Sequence, residues 1–317
     1  MSTEGGNKAI IAALGANLGI AITKLFAFAL TGMSSMLAEG IHSLADSGNQ
    51  VLLLVGGKRA KKAATPEHPF GYGRERYVFG FVVSIVLFSL GGLFALYEAY
   101  HKWHEAHAGE GEQPGLGQDW WWVPLVVLVA AIVLEGMSFR TAVRESNPLR
   151  GDSSWWEFIR KAKAPELPVI LLEDFAALIG LMFALFGVSL AVITESSYWD
   201  AAGTALIGLL LVAVAVVLAI ETKSLLVGES ANPKVTAAIV AAIASADGVD
   251  RVVHAKTLHL GPEELLVAVK IAISESDTGA QVAAAIDAAE QQARAAAPEL
   301  RLVMYLEPDL DHALELQ

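Results

Sequence analysis

The stretch MSSMLAEGIHSLADSGNQVLLLVGG, residues 33–57, decides how this chain is read. It is apolar enough to cross a bilayer, yet it carries Glu39, His42, Asp46 and Asn49. Steps of three, four and three residues put all four on one stripe of an α-helix. Ionisable groups are costly in a hydrocarbon layer, and where they occur they face a bundle interior or a wet cavity. A histidine and a carboxylate one turn apart point the same way and both can shed a proton. His42 and Asp46 can therefore hold one divalent cation between them. Asn49, a further turn along, can add a carbonyl oxygen or orient a ligand. The competing reading is an interhelical hydrogen-bond cluster that only fastens the bundle.

Composition supports a membrane setting. Of 317 residues, 54% are hydrophobic and 18% charged, a balance that points to an integral membrane protein. Cysteine is absent, which leaves His, Asp and Glu for any metal chemistry. The net charge of −12 is concentrated in the tail, where residues 229–317 hold fourteen Asp and Glu against six Lys and Arg. Such acidity argues against a nucleic-acid partner. MSTEGGNKAII lacks the basic and apolar regions of a signal peptide, and no Arg-rich, acid-poor transit segment is seen, so the first apolar run is expected as a retained helix.

Apolar runs at about 9–31, 33–57, 77–100, 121–143, 167–194 and 202–227 each approach or exceed the roughly 20 residues a span needs. Six spans are expected, the first two forming a hairpin around Thr31-Gly32. Lys58, Arg59, Lys61, Lys62, Arg74 and Arg76 lie between spans two and three, and Arg140, Arg144, Arg150, Arg160, Lys161 and Lys163 between four and five. Between spans three and four, Lys102 is set against Glu105, Glu110, Glu112 and Asp119. The positive-inside rule then places both termini in the cytoplasm. DSSWWEFIRKAK, within the loop 147–165, reads as a short amphipathic helix at the membrane interface, or alternatively as a surface helix packed on the cytoplasmic domain. Trp120, Trp121 and Trp122 suit an aromatic belt at the other interface.

Past residue 228 the pattern becomes that of a small α+β module. Helix 233–246, strand 252–260, an alternating strand through Leu265, Val267, Val269, Ile271 and Ile273, helix 278–297 with Asp277 as N-cap, and strand 300–306 give the order α-β-β-α-β. The expected division is a six-helix transport domain over 1–228 and a cytoplasmic α+β domain over 229–317. His254 and His259 have opposite parity on one strand, so they are poor partners for one metal. His312, among Glu307, Asp309 and Asp311, belongs to a solvated acidic tail.

The fifth apolar run buries Glu173 and Asp174 side by side. Helix neighbours diverge by about 100°, so one is expected to face the His42–Asp46 stripe and the other a second helix, a proton path or the interface. Asp174, with Ala177 and Gly180 nearby, is the favoured ligand, and Glu173 a further ligand or proton carrier. Asn17, Lys24 and Glu135 are the other polar residues within spans. Lys24 either pairs with a carboxylate or snorkels to an interface. Glu135 needs a partner, be it an ion pair, a proton or a metal.

Taken together, AEGIHSLADSGNQ in the second run, HPFGYGRERY in the next loop, the acidic fifth run and the α-β-β-α-β tail resemble the cation diffusion facilitators. LLEDFAALIG and the Glu135 of LEGMSFR are similar to the branch that contains the mitochondrial zinc-exporter type. The resemblance implies a homodimeric exporter moving zinc, or a similar divalent cation, out of the cytoplasm against protons. It also implies a ferredoxin-like, metallochaperone-like tail and residence in a bilayer, here a prokaryotic inner membrane. The family's site takes two residues from span two, matching His42 and Asp46, and two from span five, four apart. Asp174 matches the second of these, but Ile170 stands in the place of the first. The expected set is therefore His42, Asp46, Asp174 and Glu173, with Asn49, Asn17 and Glu135 around it, and with Asn49 or water as rival fourth ligands. An oxygen-richer site leans toward manganese, iron or cobalt. A membrane metal sensor that binds without transporting is the other alternative. An intramembrane hydrolase is disfavoured, because the chain has no HExxH and no nucleophile–base pair.

Overall fold

In this computed structural model the structure describes residues 2–31, 34–109 and 121–310. Within the first two helices, the side chains of 2–5, 28, 30, 31, 34–39, 41, 42 and 45 lie outside that description. So do the hairpin joint at Gly32, the loop charges Glu110, Glu112 and Asp119, Trp120, Asp311 and His312. The chain forms two compact units, one of 1–58 with 76–223 and the other of 59–75 with 224–317.

The first unit is a helical bundle. Among the described residues, five helical stretches are long and apolar enough to cross a membrane: Gly6–Ala27, Glu75–Ala108, Val123–Arg150, Glu166–Thr194 and Tyr198–Val227. They lie on α1 (Ser2–Thr31), on α3 (Glu75–Val86) continued by α4 (Phe94–Ala108), on α5 (Val123–Arg150), on α7 (Glu166–Thr194) and on α8 (Tyr198–Val227). Between them, α2 (Ser34–Arg59) is 26 residues long. Its length suffices for a span, but His42, Asp46, Asn49 and Gln50 dilute its apolar character. The polar stripe that makes α2 interesting is what sets it apart from the other five.

Packing in the bundle is driven by small residues and branched aliphatics. α1, α5 and α7 pack on one another. Ile10, Leu53, Val83, Ile170 and Leu218 are buried in their common core. The third span is interrupted at its centre by a π-helical turn, Leu87–Leu93, where Gly91 and Gly92 weaken the ordinary helical frame. A side chain at Gly92 would meet Val212 of α8 at 2.6 Å, so glycine is what lets these helices approach. The third span also runs on to Ala108, further than hydropathy alone predicts, and stops at Gly109 in the left-handed conformation (φ 74°).

The segment 151–165 holds α6 (Trp155–Lys161), capped by Ser154, which accepts a hydrogen bond from the Glu157 amide at 3.1 Å. Phe158 and Ile159 are buried in the bundle core with Ala142 and Leu167, while Trp156, Arg160 and Lys161 are exposed. The helix thus packs its apolar face on the helical bundle. Arg150 lies 4.6 Å above the Trp155 ring and ties α6 to the end of α5. At the start of α3 and α7, Arg76 and Glu166 form a two-pronged buried ion pair, with Nη2 to Oε2 at 2.8 Å. Breaking such a pair by removing one partner costs about 3–5 kcal/mol.

The second unit contains α9 (Pro233–Ala244), β1 (Arg251–Gly261), β2 (Glu264–Ile273), α10 (Gly279–Ala296) and β3 (Arg301–Leu310). β1 and β2 are antiparallel, and β2 and β3 are parallel, in the order β1-β2-β3. The parallel step needs a crossover, which α10 supplies. Leu265, Val267, Val269 and Ile271 are buried against Ile239, Ile243, Ala289 and Ala293, so both helices cover one face of the sheet. The cap of α10 is Thr278, not Asp277. Thr278 and Gln281 complete a capping box, and Asp277 instead accepts from the Ser274 amide at 3.1 Å. His254 is exposed and His259 is buried, with its Nδ1 3.1 Å from the Gly261 carbonyl.

HPFGYG (68–73) folds into this unit. The Gly71 amide donates to the His68 carbonyl at 2.9 Å, and Gly71 adopts φ 77°. A side chain at Gly73 would fall 2.7 Å from the Leu260 carbonyl oxygen and 3.1 Å from the Gly261 Cα. Backbone cannot yield as a side-chain tip can. Gly73→Ala is therefore expected to push the 68–73 turn off β1 at a cost of about 1–3 kcal/mol. Hydrogen–deuterium exchange reads this as faster amide exchange in residues 65–75, and an unchanged exchange pattern refutes the contact.

Candidate functional site

The polar residues of the bundle meet where α1, α2, α5 and α7 come together. On α7, Glu173 and Asp174 are both buried and turn to different neighbours, as their angular separation requires. Glu173 faces α2: Asn49 Nδ2 donates to its Oε1 at 3.0 Å and Gln50 Nε2 to its Oε2 at 3.1 Å. Gln50 in turn accepts from Asn17 Nδ2 of α1 at 3.4 Å. Three helices are thereby joined through one carboxylate, whose two oxygens both receive amide donors.

Asp174 faces α5 instead. Its residue exposure is 0%, and Ser138 Oγ donates to its Oδ2 at 2.7 Å. Its Oδ1 receives no conventional donor. Glu135, one turn before Ser138 on α5, is itself only 2% exposed. Glu135 and Ser138 are three residues apart on α5, so both point toward α7.

Asp46 is half-buried on α2 and shares a cavity with Glu135 and Glu173. His42 and Glu39 stand on the same helix, and their side chains lie outside the described residues. Lys24 is buried on α1 and donates to Ser43 Oγ of α2 at 3.2 Å, so it does not snorkel. The cavity, about 130 Å³, is lined by Asn17, Lys24, Asp46, Glu135 and Glu173, and further along α4 and α8 by Glu98, Lys102 and Thr204. Lys102 there pairs with Asp200 at 2.8 Å. Among the described residues no three His, Asp or Glu side chains converge as a ready metal cage.

Sequence reasoning did not single out Gln50 or Ser138. Ser138 carried a usable signal, a hydroxyl one turn beyond an intramembrane carboxylate. Gln50, one turn beyond Asp46 on the same face of α2, carried a spacing signal too, although its partner Glu173 is revealed only by the packing of α7 against α2. Asn49 does not stand free for a ligand as a whole, because its amide nitrogen is held by Glu173, although its Oδ1 receives no donor.

The profile of the cation efflux transmembrane domain matches residues 10–227. The chain is 29% identical over 236 residues to the mitochondrial proton-coupled zinc antiporter SLC30A9 of Xenopus laevis, covering 74% of this chain and 40% of that one. Against metal tolerance protein C4 of Arabidopsis thaliana it is 23% identical over 265 residues, covering 83% and 56%. A shorter match, 32% over 79 residues and 25% of each chain, is to the magnetosome protein MamM of Paramagnetospirillum magneticum. The chain thus spans well under two thirds of the length of these relatives.

The Glu173 network makes a direct forecast. Gln50→Leu leaves Glu173 Oε2 without its donor, a loss of about 1–3 kcal/mol for a buried polar group. Thermal unfolding of the detergent-solubilised chain should fall accordingly, and Gln50→Leu combined with Glu173→Leu should recover much of the loss. Equal stability of the single variant and the parent refutes the network.

Proposed function

This chain belongs to the cation efflux family, and from that footing we propose that it transports a divalent metal cation, zinc foremost, out of the cytoplasm in exchange for protons. The observation that carries the proposal is a cavity inside the apolar bundle lined by the carboxylates of Asp46, Glu135 and Glu173, with Asp174 buried next to Glu173 on α7. Carboxylates so placed need positive charge nearby, and a metal ion and protons are interchangeable sources of it. A zinc-type site binds through neutral imidazole and ionised carboxylates, so loading the metal releases protons and protonation releases the metal. His42, Asp46 and Asp174 are the ligands in this reading, and Asn49 and Asn17 hold the surrounding amides in place. If access to the site alternates between the two membrane faces, the two fluxes are coupled.

The relatives' names support zinc and proton coupling, while the oxygen-rich surroundings of Asp174 favour a second reading, in which manganese, iron or cobalt is the substrate. Both termini lie on the cytoplasmic side in this proposal, because the basic loops flank spans two to three and four to five. We also place the chain as a homodimer in a prokaryotic inner membrane. The magnetosome relative is consistent with that location, whereas the antiporter relatives are named mitochondrial.

Flux measured metal by metal in proteoliposomes, with and without a pH gradient, tests the proposal. Zinc movement should follow the proton gradient and fall at least about tenfold in Asp46→Ala and in Asp174→Ala, in line with loss of a ligand or its close support. Undiminished flux in both variants refutes the site. Metal binding without flux under any gradient identifies a sensor instead.

A further inference from the structure

We infer that Glu98 of α4 is a waypoint for the cargo cation between the middle of the bundle and its non-cytoplasmic end, and that Asp200 of α8 keeps this waypoint open by holding Lys102 aside. The inference rests on the transport reading above and concerns the route by which the ion leaves.

The cavity runs toward one end of the bundle. Asp46, on its wall, stands near the midpoint of α2, about 18 Å from either end at 1.5 Å per residue. At the other extreme of the lining are Lys102 and Thr204. Lys102 is within about 9 Å of Ala108, the last residue of α4, and its partner Asp200 within about 3 Å of Tyr198, the first of α8. The same two helix ends meet at Trp103 and Tyr198, whose rings cross edge to face at 4.9 Å. The Lys102 and Asp200 side chains are 23% and 32% exposed, so the cavity approaches the surface there. The distribution of basic loops makes this the non-cytoplasmic end in the transport reading.

An ion moving along that route passes small and apolar side chains, Phe94, Gly180, Ala184 and Ile207 among them. Glu98 is the acid it meets, lining the cavity one turn before Lys102 on the same face of α4. Among the described residues Glu98 makes no hydrogen bond or ion pair. Its sequence position favours one, since a Glu four residues ahead of a Lys is the better order for a helical ion pair. Lys102 reaches across to α8 instead, where it pairs with Asp200 at 2.8 Å and donates to Thr204 Oγ1 at 3.4 Å. Two acids compete for one ammonium, and Asp200 holds it. Glu98 is left as negative charge facing a passage with low-dielectric walls, where it concentrates a cation. With Asp200 neutralised, Lys102 turns to Glu98, cancels its charge and stands in the route.

Zinc flux in proteoliposomes under a proton gradient, set beside equilibrium zinc binding to the full chain in detergent, tests this assignment. Glu98→Gln should cut flux about tenfold while zinc binding stays at the parental value, because the central carboxylates are untouched. Glu98→Asp, which keeps the charge, should retain most of the flux. Asp200→Asn should lower flux as well, and Lys102→Met added to it should restore flux, because the ammonium that Asp200 kept away is gone. A pair that merely braced α4 against α8 would not be rescued by removing its second member.

Parental flux in Glu98→Gln overturns the inference, and so does a loss of flux and zinc binding together in that variant. Parental flux in Asp200→Asn, or a loss that Lys102→Met does not repair, overturns it equally. The Asp200 series leaves Glu98 in place and decides the matter even where Glu98→Gln does not fold. No zinc flux by the parent chain under any gradient would instead overturn the transport reading itself.

Discussion

A carboxylate inside an apolar helical bundle has to be answered by something, and that requirement organises this molecule. Three of the buried acids are met by three different helices. Glu173 receives Asn49 and Gln50 from α2, Asp174 receives Ser138 from α5, and Glu166 receives Arg76 from α3. Hydrophobic burial alone would let neighbouring helices slide or rotate against each other at little cost, because one aliphatic surface is much like another. Directed bonds to charged groups do not permit that. They set the rotation and height of α7 relative to three other helices, with Glu173 doing so where the cavity lies.

The same requirement separates scaffold from site. A carboxylate with all its oxygens satisfied by amides is finished chemistry, and Glu173 is in that state. One with a buried oxygen that accepts no hydrogen bond is unfinished, and Asp174 is in that state. Two adjacent residues of one helix therefore take opposite roles. Their side chains point about 100° apart, toward α2 in one case and α5 in the other.

Much of this is legible in the amino-acid sequence. The helical runs follow from hydropathy and length, and the alternation from Leu265 to Ile273 announces a strand with one covered face, as found. The divergence of Glu173 and Asp174 also follows from helix geometry alone. Which of them meets which helix does not, because Asn49 and Gln50 lie more than a hundred residues away in sequence and nothing local links them. Ser138, 36 residues from Asp174, is hidden for the same reason. The cap of α10 is a nearer miss. Asp277 and Thr278 are both good capping residues, and Gln281 at the third helical position selects Thr278 by returning the bond. The α3–α4 interruption leaves no periodic signal, since a π-helical turn in an all-apolar run changes which residues face inward without changing their character.

That interruption governs the rotational phase of everything after it. An α-helix advances about 100° per residue, and a π-helical turn accommodates one residue more than the regular frame. From Phe94 onward the third span is consequently out of phase with its own first half. Glu98 and Lys102, which line the cavity and, through Lys102, engage Asp200, owe their inward orientation to that offset. Were the same sequence a regular α-helix throughout, Tyr97 and His101 would occupy their places. The acid and its lysine would then be turned about 100° from their present direction. The pair Gly91-Gly92 works as a phase shifter, letting one continuous helix pack the core with Val83 and Leu87 and present Glu98 and Lys102 to the cavity.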